Sequence, residues 1–287
     1  MTNLYSNKIF ITKELYYTVL RIKNRIILAP CDKLKKEQRY FLNAIKRSYK
    51  LKQDTFNSAQ IHTNKKWILK MDIKDFFNSV QYPSIKNFVI DVCDKIPNAN
   101  AFYYLSLVTI NDKLPVGAPT SSYIADYCFK DVENEIRKIC RIYCIEFSRY
   151  VDDLTFSGYN KNVLKVIEKR VTNILFNYGY KINPKKTKYI CRNKQQKVLG
   201  LVVNNNVVCI SNEEKRKIRA ILHNFAIYFS NNTIKDIKYR QWNDNEIEKM
   251  FGKIAYVKHV DKKFYEKLKI YKNKLSKKYN ISFPSSL

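Results

Sequence analysis

The sequence predicts an α+β fold built on an antiparallel sheet and followed by a helical C-terminal module. Three patterns carry that reading. Trp67-Ile68-Leu69-Lys70-Met71-Asp72-Ile73 is apolar nearly throughout, as a buried strand is. Residues 146–150 with 154–157, and 198–203 with 207–210, read as hairpins. Around them run apolar stripes at helical spacing.

Taken in order, residues 8–11 and 25–28 predict a β-ribbon that Pro30 ends, and a helix follows over 34–49. Residues 84–93 and 99–110 predict two more helices. Residues 118–142 predict one long helix, with Ile124, Tyr127, Cys128, Val132, Ile136 and Ile139 on its apolar stripe. Val163, Ile167, Val171, Ile174 and Leu175 place a helix over 161–178, with Gly179 as its C-terminal stop. Asn204-Asn205-Asn206 supplies a turn that tolerates left-handed backbone. Ser211 and Glu214 form a capping box. Ile218, Leu222 and Phe225, then Met250 and Ile254, then residues 261–279 give three helices. The expected boundary therefore lies near residue 210, with domains 1–210 and 211–287.

Composition narrows the function. The 287 residues carry 54 Lys+Arg against 25 Asp+Glu, a net charge of +29. Such a field favours nucleic acid as partner. Part of the lysine is ordinary solvated surface, because Lys, Asn, Ile and Tyr are abundant together, as an AT-rich gene writes them. The charge is uneven: 16 basic and 4 acidic residues in 1–70, 20 and 13 in 71–210, 18 and 8 in 211–287. A less basic centre is thus flanked by two basic ends. The 45% hydrophobic content excludes a disordered basic tail. Seven cysteines without a CxxC and three scattered histidines argue against zinc and for reduced thiols in a cytoplasmic protein. No apolar run is long enough to span a membrane.

Chemistry concentrates in three carboxylates. Asp72 ends the buried strand, and Asp152 and Asp153 sit at the turn of the first hairpin. Adjacent aspartates at a turn can be a solvated loop, and Asp72 can be a strand-end cap. If the strands pair, however, the three converge. Clustered carboxylate oxygens suit hard divalent cations such as Mg²⁺, which act in phosphoryl transfer.

Those residues resemble a family. Tyr150-Val151-Asp152-Asp153 fits the YxDD motif of reverse transcriptases, and Asp72-Ile73-Lys74-Asp75-Phe76-Phe77-Asn78-Ser79-Val80 is similar to the DxxDFFxSI segment of bacterial members. Residues 114–122 resemble LPxGAPTSP, with Val116 where Gln is usual and Ser122 where Pro is usual. Residues 182–187 resemble xNPxKT. Retron reverse transcriptases are the nearest type. Their NAxxH element has a counterpart in Ser58-Ala59-Gln60-Ile61-His62, and their VTG in Val198-Leu199-Gly200, each one residue off.

The resemblance implies a right-hand polymerase: fingers and palm over 1–210, with an antiparallel palm sheet, then a basic helical thumb over 211–287. It implies that Asp72, Asp152, Asp153 and the Ile73 carbonyl hold two Mg²⁺ ions, with Mn²⁺ as the alternative. Phe77, five positions after Asp72, would exclude a ribose 2′-OH. Arg25 and Lys185 or Lys186 would contact the dNTP phosphates or the primer, and Gly117 would turn the chain beneath the templating pair. His62 is expected to be a structural hydrogen bonder or an RNA contact, with Lys215, Arg216 and Arg219 as RNA contacts on the thumb. There, lysines alternate with Tyr239, Tyr256 and Tyr265. The implied partners are dNTPs, a structured noncoding RNA of the msr–msd type with its msDNA product, and a separately encoded effector in anti-phage defence. No membrane is implicated. Two alternatives stand beside this reading: a non-retron defence-associated reverse transcriptase, and a catalytically weak RNA-binding protein on the same fold.

Overall fold

A computed structural model describes residues 6–8, 17–22, 25–51, 54–230 and 242–283. In chain order the elements are β1 (Ser6–Lys8), β2 (Tyr17–Ile22), β3 (Arg25–Pro30), α1 (Asp32–Ser48), α2 (Thr55–Gln60), β4 (Trp67–Lys74), α3 (Phe76–Ser79), α4 (Tyr82–Cys93) and α5 (Ala101–Val108). Then come α6 (Ser121–Cys128), α7 (Lys130–Ile142), β5 (Glu146–Tyr150), β6 (Asp153–Gly158), α8 (Lys161–Asn177), β7 (Lys181–Ile182), a 3-10 turn at Pro184–Lys186 and β8 (Lys188–Cys191). The chain continues with β9 (Lys197–Val198), β10 (Leu201–Val202), α9 (Asn212–Ser230), α10 (Asp244–Val260) and α11 (Lys262–Tyr279). Among the described residues no helix is long and apolar enough to cross a membrane.

The chain divides into two compact units, 1–54 with 66–190, and 55–65 with 191–287. The first is organised by β4. Its strand order is β5-β6-β4-β7, with β8 also paired to β4. The pairings β5–β6, β6–β4 and β4–β7 are antiparallel. Ile68, Leu69, Met71 and Ile73 are buried, which is why this strand reads as a nearly unbroken apolar run. α4, α6, α7 and α8 contribute Ile85, Phe88, Ile124, Val132, Ile136, Leu164 and Val171 to the same core. A separate antiparallel sheet, β1-β2-β3, belongs to this unit. The ribbon expected at residues 8–11 ends at Lys8, and 9–11 lie outside the described residues.

One element departs from expectation. The single helix anticipated over 118–142 is two helices that meet at Phe129. Phe129 is fully buried, with its ring against Phe76 and Tyr180, so packing of that side chain interrupts the helical stripe.

The second unit takes in residues 191–210 together with the helices that follow. Ile210 N–H is 3.4 Å from Asp261 Oδ2, and Cys209 pairs with Val202. Segment 55–65 joins it through the Asn64 N–H, which donates to the Val203 carbonyl at 3.0 Å. The Ser211 half of the capping box is formed, with Glu214 N–H donating to Ser211 Oγ at 3.3 Å. Asp261 caps α11, accepting from Phe264 N–H at 2.9 Å. Ile218, Leu222, Phe225, Met250, Ile254, Phe264 and Leu268 are buried, as their spacing predicts.

Candidate active site

β4 and β6 bring two of the carboxylates face to face, because Asp72 and Asp153 are direct cross-strand partners. Such partners project from the same face of a sheet. Ile73 N–H donates to the Asp152 carbonyl at 3.0 Å, just beyond that pair. The Asp72–Asp153 pair is therefore a non-hydrogen-bonded one, the type whose Cα atoms lie about 4.5 Å apart with side chains nearest. The Ile73 carbonyl points to the same strand edge as its N–H, toward the turn that carries Asp152. On the opposite edge, the Asp72 carbonyl accepts from Asn183 N–H at 2.8 Å, which ties the 182–187 segment to the strand.

Asp72 is 7% exposed, and a buried carboxylate is costly without a cation. Lys186 Nζ lies 2.6 Å from its Oδ1. Lys70 lies on β4 two residues before Asp72, hence on the same face. Burial pushes its pKa down, Asp153 offsets that, and Lys188 adds to it. Among the described residues no three His, Cys, Asp or Glu side chains are already gathered around a common point. Three carboxylates drawn together would repel one another, and Asp72 is turned to Lys186 instead. The donor set still fits a hard divalent cation: carboxylate oxygens on one sheet face, with a backbone carbonyl at the adjoining edge.

The turn between β5 and β6 has two central residues, Val151 and Asp152, flanked by the Tyr150–Asp153 pair. Val151 has φ +55°, a position where hairpins usually place glycine. Arg149 stands behind it. Its side chain is 6% exposed, and it donates from Nη1 to the Val151 carbonyl at 3.1 Å and from Nε to Glu133 at 2.7 Å. It also bonds Asp126, whose other oxygen accepts from Tyr49 OH at 2.7 Å. Burial disfavours the charge on Arg149, but Glu133 and Asp126 outweigh burial and its pKa rises.

Phe76 is core, packed on Phe129 and Tyr180, whereas Phe77 is half-buried beside it, with ring centroids 5.6 Å apart. Gly117 has φ +117°, and a Cβ there would lie 2.8 Å from Ile27 Cγ2 and 2.9 Å from the Leu28 carbonyl oxygen. The neighbouring Val116 carbonyl accepts from Leu28 N–H at 2.7 Å. Residues 114–118 thus lie directly on β3 through backbone groups, which explains why Val at 116 is compatible with this loop. Arg25 opens β3, and its side chain lies outside the described residues.

Lys186, and not Lys185, engages Asp72; Lys185 is exposed in the same 3-10 turn. His62 is 0% exposed, which suits the structural hydrogen bonder of the two roles expected for it. Lys215 is likewise held internally, 2.7 Å from the buried Asp261 and over the Phe264 ring. Arg216 and Arg219 are exposed, Arg219 leaning on the Phe264 ring. Tyr239 lies outside the described residues. Arg149 and Asp126 were missed altogether. Their only sequence signal was a single charge within Ser121–Cys128 and an arginine just ahead of the Tyr150–Asp153 turn.

Residues 15–203 match the family model described as reverse transcriptase (RNA-dependent DNA polymerase). That is well over half of the chain, and the chain belongs to the reverse transcriptase family. Within that family it is of the retron type. It is 26% identical over 279 residues to the retron Ec83 reverse transcriptase of Escherichia coli, covering 88% of this chain and 86% of that one. To the retron Ec86 enzyme of the same organism it is 30% identical over 232 residues, covering 79% and 66%. To the retron Ec48 enzyme it is 28% identical over 76% of its own length, but it spans only 53% of that relative. Among solved structures, the foamy viral protease–reverse transcriptase bound to double-stranded DNA aligns with 96% of this chain and 45% of its own, at a TM-score of 0.50 and 16% identity. The fold is accordingly that of a right-hand polymerase.

Proposed function

We propose that the chain is an RNA-directed DNA polymerase that copies a cognate structured noncoding RNA into RNA-linked single-stranded DNA, within a retron system of anti-phage defence. The observation that supports this most is the cross-strand register of Asp72 with Asp153, with Asp152 in the adjoining turn. In this reading Asp72, Asp152, Asp153 and the Ile73 carbonyl hold two Mg²⁺ ions, Mn²⁺ being the alternative. When bound, such ions supply a Lewis acid for the reacting phosphate and favour the ionised form of the attacking hydroxyl.

The rest falls to the chain's own side chains. A 3′-hydroxyl, or a 2′-hydroxyl of an RNA guanosine at the start, attacks the α-phosphorus of a dNTP; the new O–P bond forms as the bond to pyrophosphate breaks. Lys186, released from Asp72, neutralises phosphate charge, with Lys185 beside it and Arg25 as the triphosphate contact from β3. Phe77 bars a ribose 2′-OH, and Gly117 keeps its loop flat against β3. Residues 1–210 serve as fingers and palm and 211–287 as the thumb, where Arg216 and Arg219 meet RNA. The RNA would be of the msr–msd type, the product msDNA, the setting cytoplasmic, and the defensive output would come from a separate effector protein.

Nucleic acid copurified with the protein tests this reading. The expected product is an RNA–DNA species with a 2′–5′ branch, sensitive to both RNase and DNase and released by debranching. Protein-linked DNA, or RNA with no DNA attached, would overturn the retron assignment.

A further inference from the structure

Val151 is a β-branched residue in the left-handed region, a strained conformation that persists only where the surroundings impose it. Its side chain packs against the core, so it does not relax into solvent. Its carbonyl is held by Arg149 at 3.1 Å. The same guanidinium uses its other two nitrogens on Glu133 of α7 and Asp126 of α6, and its Cζ lies 4.8 Å from the Phe129 ring centroid. Asp126 in turn is held by Tyr49, which follows α1. One buried fork therefore ties the turn to three helices.

We propose that Arg149 is a positioning residue: it fixes the strained Val151 turn and so sets the direction in which Asp152 and Asp153 present their carboxylates. This rests on the role proposed above for those carboxylates. Lysine is no substitute. Nε, Nη1 and Nη2 act in three directions at once, whereas an ammonium is a single point on a flexible stem. The strain marks a turn whose geometry is imposed, and an imposed geometry is what a reacting centre needs, since a misplacement of about 1 Å can cost about 100-fold in rate.

The test compares wild type, R149K, Y49F, V151G and the R149K/V151G double variant. Two readouts are used: kcat and KM for dNTP on an RNA template, and amide hydrogen exchange across residues 150–154. R149K is expected to lower kcat about 10- to 100-fold with little change in KM. Exchange should quicken at the turn while β4 stays protected. The loss caused by R149K should be several-fold smaller in the V151G background, because glycine adopts φ near +55° without strain. Y49F, which removes only the hydroxyl on Asp126, should give a smaller change of the same kind, and it serves if R149K does not fold.

Unchanged kcat and unchanged turn exchange in R149K, or in Y49F where R149K does not fold, overturn the proposal. So do equal R149K losses in both backgrounds with faster exchange throughout β4, β5 and α7, which would mean a role in fold stability alone. Absence of divalent-dependent synthesis by the wild type would sink the polymerase reading instead. The exchange comparison would still report whether Arg149 holds the turn.

Discussion

Among the described residues, the β9–β10 and β5–β6 hairpins each turn on two central residues, and they do so in opposite ways. The β9–β10 turn uses Leu199 at φ +49° and Gly200 at φ +85°, the pair of positive angles that suits a twisted hairpin. A Cβ at Gly200 would meet nothing within 4 Å, and Gly200 is exposed. The β5–β6 turn puts valine at the positive angle and encloses it in a network of Arg149, Asp126, Glu133 and Tyr49. The first turn has a glycine at one of its two strained positions and open space around it. The second keeps its strain and surrounds it with buried charge, and it is the one that carries two aspartates. Strain retained against an easier local choice marks a site where geometry matters more than stability.

That contrast can be broken or sharpened by mutation. The largest effect is expected at the carboxylates: Asp72→Asn should lower RNA-templated dNTP incorporation by about 10³-fold or more, since it removes charge stabilisation at the reacting centre. Asn204→Ala, which deletes the bonds from Asn204 to residues 192, 194 and 196 near the other hairpin, should leave kcat within about twofold while lowering Tm. Comparable losses of kcat in both variants would erase the distinction.

Gly117→Ala comes next. Its Cβ meets β3 backbone at 2.9 Å and φ +117° is strained for any L side chain, so thermal unfolding should show a loss of about 1–3 kcal/mol. A Tm equal to wild type would mean that the loop lifts freely off β3.

Lys186→Met gives a smaller and metal-dependent change. Asp72 loses its cation, so in EDTA the variant should be less stable by about 1 kcal/mol, the Lys186 side chain being itself half exposed. Added Mg²⁺ should raise the Tm of the variant more than that of wild type. Equal Mg²⁺ shifts would argue against Asp72 as a ligand. Smallest of all, Leu199→Gly should change stability by under about 1 kcal/mol, with strain relief set against the flexibility gained in the unfolded chain. Val151→Gly should instead alter catalysis.

Much of this was legible in the sequence, for identifiable reasons. Asp72, Asp152 and Asp153 stood out because a buried apolar strand and a hairpin turn are local patterns, and the register adds that Asp72 faces Asp153 across the sheet. The C-terminal helices followed from 3.6-residue spacing and from Ser211 as a cap. What escaped depended on distance along the chain. Choosing Lys186 over Lys185 requires knowing where the 3-10 turn sits beside β4. The 118–142 helix breaks at Phe129 because of rings at Phe76 and Tyr180, which no local window contains. Arg149 reads as one more surface charge until Tyr49, Asp126 and Glu133 converge on it. His62 matched a motif position, and only packing reveals that it is fully buried.

The central claim is that Asp152 and Asp153 carry divalent-dependent DNA synthesis on RNA while the basic surface carries RNA affinity. Primer extension with dNTPs on an RNA template, run beside RNA binding for wild type and for the Asp152→Asn, Asp153→Asn double variant, tests it most directly. The account predicts that synthesis disappears in the variant. RNA binding should stay within a few-fold and should weaken with salt at a log–log slope of about −0.7 per phosphate neutralised. Synthesis that persists in the variant would contradict it.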